Sequence, residues 1–131
     1  MISQMERTKS ILVIDDEPMM LQLLKSVFVS EGYDVNLAAD GVMGMFMLRN
    51  NKPDLVLLDI LMPGPDGHLT LERIRHESNV PVIMVTGKQD VESLQTALAL
   101  GADDYVRKPF RPVELVERVQ AKIKRAEMTM S

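Results

Sequence analysis

The chain has 131 residues, 46% of them apolar, which is enough for one domain with one buried core. Fifteen basic against nineteen acidic residues give a formal charge of −4, which argues against direct nucleic-acid binding by this domain. Cysteine is absent, so disulfides and thiolate metal sites are excluded. No run approaches the ~20 apolar residues of a membrane span, and Met1 to Ser10 lacks a signal-type apolar core, so the expected home is cytoplasmic with no membrane partner.

Apolar periodicity alternates between the strand and helix templates. Ile11 to Ile14 is a closed apolar run ended by Asp15-Asp16, as in a strand buried on both faces. Pro18 suits a first helical turn. Met20, Leu23, Leu24 and Val27 then give an inward stripe, and Gly32 marks the stop. Asp34 to Ala38 is a second strand, and Asp40 caps a second helix reaching about Asn50. Asp54 reads as a solvated turn residue before the third strand, Leu55 to Leu58, which ends at Asp59.

The turn-rich Pro63-Gly64-Pro65-Asp66-Gly67 precedes a third helix over His68 to Glu77. Pro81 to Val85 is the fourth strand, followed by Thr86-Gly87. Asp90 to Leu100 is a helix stopped by Gly101, and Tyr105-Val106 a short fifth strand. Pro112 to Arg125 is the last helix, with Pro112, Leu115, Val116, Val119 and Ile123 facing inward. Five βα units with short connections predict an α/β fold, a parallel sheet covered by helices on both faces. Residues 1–9 and 127–131 read as tails around one domain at 10–126.

In such a sheet, ligands bind beyond the carboxyl ends of the strands. Those ends deliver Asp15, Asp16, Asp59, Thr86 and Lys108 to one edge. Three carboxylates with one ammonium need further positive charge, and a hard divalent cation such as Mg²⁺ supplies it with oxygen ligands. Metal, lysine and hydroxyl together are the parts that phosphoryl transfer needs, with Asp59, alone at its strand end, as nucleophile.

The ordered set Asp15-Asp16-Glu17-Pro18, Asp59 to Pro63 with Asp66-Gly67, Thr86-Gly87, Gly101 to Tyr105 and Lys108-Pro109-Phe110 resembles the receiver domain of bacterial response regulators. The likeness covers about Ser10 to Arg125. It implies a doubly wound, flavodoxin-like (CheY-like) five-stranded sheet of order 2-1-3-4-5. It implies a phosphoacceptor, Asp59, served by a sensor histidine kinase or phosphotransfer protein, in a switch that is not a turnover enzyme. Mg²⁺, with Mn²⁺ as alternative, would be held by Asp16, Asp59 and the Leu61 carbonyl, with Asp15 sharing or holding a water. Lys108 and Thr86 would contact the phosphoryl oxygens, Thr86 and Tyr105 would switch, and the Lys108-Pro109 bond would be cis.

Further features qualify that reading. Leu61, bordering the acceptor, has no group to orient a hydrolytic water, and Lys88, which also borders it, is non-acidic, which predicts slow self-hydrolysis. Asp104, Glu114 and Arg118 fit a homodimer through the fourth helix, fifth strand and fifth helix, as in receivers joined to winged-helix DNA-binding domains. Leu94, Ala99 and Leu100 lack the charges common there. The second helix turns Val42, Met43 and Phe46 outward, a candidate interaction patch. His68 and His76 are too far apart along one helix for one metal ion and read as surface residues. The basic cluster around Arg118 to Arg125 suits a helix C-terminus. A flavin carrier would be repelled by Asp15-Asp16-Glu17, and a phosphohydrolase would need a general acid or base near Asp59 that Leu61 does not supply. A single-domain receiver and the N-terminal receiver of a longer regulator, with an attached output domain or a docking partner, both fit.

Overall fold

The computed structural model describes residues 7–62, 67–87 and 91–130. The expected Pro63 to Asp66 turn, Lys88 and the Asp90 helix start lie outside them. Among the described residues, strands β1 (Ser10–Ile14), β2 (Asp34–Ala38), β3 (Leu55–Leu58), β4 (Val82–Thr86) and β5 (Asp104–Arg107) alternate with five helices. These are α1 (Pro18–Ser30), α2 (Gly41–Asn51), α3 (Gly67–Glu77), α4 (Val91–Ala99) and α5 (Pro112–Met130). All pairings are parallel and the order is β2-β1-β3-β4-β5, as the sequence led us to expect.

The period of two along each strand divides the core into two layers. Leu12, Ile14, Val56, Leu58, Val82 and Met84 meet Met45, Leu48, Leu71, Ile74 and Leu94 of α2, α3 and α4. Ile11, Val13, Leu55, Leu57, Ile83 and Val85 meet Leu21, Leu24 and Phe28 of α1 and Leu115, Val119 and Ile123 of α5. Central strands buried on both faces explain why β1, β3 and β4 read as unbroken apolar runs.

Two helix faces differ from the sequence reading. In α1 the buried residues are Leu21, Leu24 and Phe28, whereas Leu23 is exposed. Apolar residues surround that helix, so spacing alone could not choose the stripe. In α5, Pro112 is exposed and, among the residues of that helix whose burial is described, only Leu115, Val119 and Ile123 are fully buried. That helix also runs on to Met130, past the expected stop at Arg125, with Glu127 paired to Lys9 at 2.9 Å.

The ends of α1 follow local chemistry. Pro18 opens it, and Gly32 (φ 93°) closes it, its N–H donating to the Val29 carbonyl while Tyr33 donates to Phe28. Asp54 is more than a solvated turn residue, because its Oδ2 accepts the Ser10 amide at 2.8 Å. His68 is half-buried, its Nε2 3.0 Å from the Ser93 carbonyl, and so is not a plain surface residue. Arg75 ties the edge opposite the strand ends together. It donates to the carbonyls of Gly101 and Val80 at 2.8 and 2.7 Å and to Asp103 at 2.8 Å.

Candidate phosphoacceptor site

The register pairs Ile14 with Leu58, so Asp15 and Asp59 leave adjacent strands side by side. Both are buried, at 2% and 3% relative exposure. Backbone bonds hold them there: the Asp15 N–H donates to Ala38 and the Asp59 N–H to Ile14, each at 3.0 Å. Lys108 arrives just beyond β5. Its own N–H donates to the Thr86 carbonyl at 2.8 Å, and the Lys108-Pro109 peptide bond is cis. The Lys108 Nζ lies 3.1 Å from Asp15 Oδ2, 3.5 Å from Asp59 Oδ2 and 3.6 Å from Glu17 Oε1.

Charge and burial oppose each other here. Burial pushes the Asp59 carboxyl above the ordinary range. The Lys108 charge and the Leu61 amide pull it down without cancelling that shift, and Asp15 adds to it. Burial works against the Lys108 ammonium, but the hydrogen bond to Asp15 and the charges of Asp59, Asp15 and Glu17 more than offset it, so its pKa is raised.

The expected carboxylate trio is only partly assembled. Asp15, Glu17 and Asp59 bring oxygens within 4.8 Å of one another, and Asp16, half-buried, is not in that group. Glu17 was not expected in this cluster; its signal was its place as the third acid of the run. Asp15 Oδ1 accepts the Glu17 amide at 2.9 Å, which draws that residue over the site. A donor set of carboxylate oxygens with one ammonium for compensation fits a hard divalent cation.

The remaining expected residues surround this cluster. Leu61 donates its N–H to Asp59 Oδ1 at 3.2 Å while its side chain is 49% exposed. Thr86, the last residue of β4, is fully buried. Tyr105 pairs with Met84, two residues before Thr86, so Thr86 and Tyr105 project to the same face of the sheet. Tyr105 is half-buried and packs on the α2–α3–α4 layer. A Cβ at Gly87 would meet no atom within 4 Å, so the approach beside Thr86 is open.

A parallel sheet of this order, with an acidic edge spanned by a lysine, defines a receiver-type signalling module. Residues 11–120 match the family model of the response regulator receiver domain. The chain is 44% identical over 117 residues to the DNA-binding response regulator MtrA of Mycolicibacterium smegmatis, covering 89% of this chain and 51% of that protein. It is 42% identical over 123 residues to the probable transcriptional regulator ycf27 of Porphyridium aerugineum, covering 94% and 51%. A solved CheY-like response regulator receiver domain protein from Methanospirillum hungatei matches with a TM-score of 0.90 at 33% identity, covering 94% of this chain and 99% of that one. The chain belongs to the response regulator receiver domain family, the signalling switches of two-component systems. It spans about half the length of the curated relatives it matches.

Proposed function

We propose that this domain accepts a phosphoryl group on Asp59 from a sensor histidine kinase or a phosphotransfer protein, and that the modified form acts on an output domain or docking partner. The observation that carries this is Asp59, buried beside Asp15 and within 3.5 Å of Lys108 at the open end of the sheet. An Asp59 oxygen attacks the phosphorus of a phosphohistidine. The P–N bond breaks as the O–P bond forms, and the leaving imidazole keeps the bonding pair and takes up a proton. The Lys108 ammonium moves its hydrogen bonds from carboxylate to phosphoryl oxygens, so its charge follows the charge being transferred. Asp15, Asp59, the Leu61 carbonyl and either Asp16 or Glu17 would hold Mg²⁺ or Mn²⁺, which when bound neutralises negative charge at the phosphoryl oxygens.

The Thr86 hydroxyl turns to a phosphoryl oxygen, and Tyr105 follows into the space behind it. Their shared face of the sheet supports that coupling. The α4–β5–α5 face is the proposed dimer surface. There Arg118 is bonded within its own chain to Asp104 at 2.8 Å and lies 3.5 Å from Glu114, so dimerisation would exchange pairs already made. DNA binding, named for the MtrA relative, would belong to an output segment and not to this domain. Among the described residues, no helix is long and apolar enough to cross a membrane. The test of the site is a thermal melt with Mg²⁺ and beryllofluoride. The pair should raise the melting temperature of the wild type and leave Asp59→Asn unchanged; an equal rise in both would remove Asp59 from the site.

A further inference from the structure

On the reading that Asp59 is the acceptor, we infer that Gly67 is a positioning residue for it, holding the Asp59–Ile60 backbone from the first residue of α3. The segment carrying Asp59 is fixed at two points. The Asp59 N–H donates to Ile14 of β1, and the Ile60 carbonyl accepts the Gly67 N–H, both at 3.0 Å. The second contact brings α3 so close that a Cβ on Gly67 would overlap the Asp59 carbonyl oxygen and the Ile60 Cα. Both obstacles are backbone, so no rotamer change relieves the overlap. Either α3 or the Asp59–Leu61 segment must move.

That movement reaches the chemistry directly. Leu61, next along, donates its N–H to Asp59 Oδ1 at 3.2 Å, so a displaced Ile60 peptide changes both the aim of the carboxylate and the placement of the Leu61 carbonyl. Gly67 is buried, as are Thr70, Leu71 and Ile74 on the same helix, so α3 cannot swing outward without opening the core. Ile60 is buried in the same core as Leu71 and Ile74, so neither side yields freely and part of the displacement falls on the Asp59–Leu61 segment. A shift approaching 1 Å at a reacting group costs on the order of a hundredfold in rate.

The test compares Gly67→Ala with Gly101→Ala. Gly101 lies at the opposite edge, has φ 112°, and would place its Cβ 2.9 Å from Arg75 Nε, so its replacement strains the fold away from the site. Phosphorylation by acetyl phosphate at saturating Mg²⁺ is measured by intact mass, alongside melting temperature and the amide proton shift of Leu61 in chelator. Gly67→Ala should slow phosphorylation by about tenfold or more and move the Leu61 amide, while Gly101→Ala lowers the melting temperature and keeps both. A Gly67→Ala rate within about twofold of wild type would overturn the positioning role. So would a variant that fails to fold, since the glycine would then serve the domain as a whole. No phosphorylation of the wild type would instead remove the underlying reading of Asp59.

Discussion

A carboxylate buried at a strand end is costly to ionise unless neighbours neutralise it, and among the described residues the cation beside Asp59 is Lys108, shared with Asp15. Its folded-state pKa is raised, chiefly by burial, so the folded protein holds that proton more tightly than the unfolded chain. The associated stability is complete below the unfolded carboxylate pKa of about 3.9 and is lost as pH rises through the folded value. In chelator, Asp59→Asn should therefore gain stability over the wild type as pH rises from about 4 to neutral. Melting temperatures across that range check this; a difference between variant and wild type that does not change with pH contradicts it. Leu61 presents an exposed apolar side chain beside the same carboxylate and supplies no group to orient a water. The phosphorylated form should be long-lived, and Leu61→Asn should speed its decay by about tenfold. Loss of the phosphoryl group within seconds in the purified wild type would count against this.

At the scale of elements, strands β1, β3 and β4 were legible because burial on both faces leaves a continuous apolar run with a sharp polar end. The inward face of α1 was not, since Met19, Leu21, Leu23 and Leu24 offer competing stripes and only the sheet decides between them. The candidate site was readable to the same extent. Asp15, Asp59 and Lys108 follow from where strands end, whereas the approach of Glu17 to Asp15 and Asp59 depends on how the chain turns into α1, which spacing does not encode. For α2 the expected outward face is the observed one, with Val42, Met43 and Phe46 at 64%, 44% and 56% exposure. We propose that this apolar patch, bordered by Arg49, mediates association. Replacing all three with Glu should reduce self-association in sedimentation velocity while changing stability by only about 0.5 kcal/mol per site. An unchanged mass distribution would leave the face without that role.

At the scale of the whole molecule, one sheet edge carries the chemistry while the other is locked. Arg75 binds the ends of α3 and α4 to the start of β4 at the lower edge, and the upper edge gathers the carboxylates, Lys108 and Thr86. We propose that a rearrangement at Asp59 travels along this carboxyl edge, toward β4, β5 and Tyr105. The most direct measurement is intact-mass spectrometry after incubation with acetyl phosphate, with and without Mg²⁺, beside Asp59→Asn. The account predicts a single phosphoryl adduct on the wild type that requires the metal and is absent from the variant. An adduct of equal yield on Asp59→Asn, or one indifferent to Mg²⁺, would contradict it.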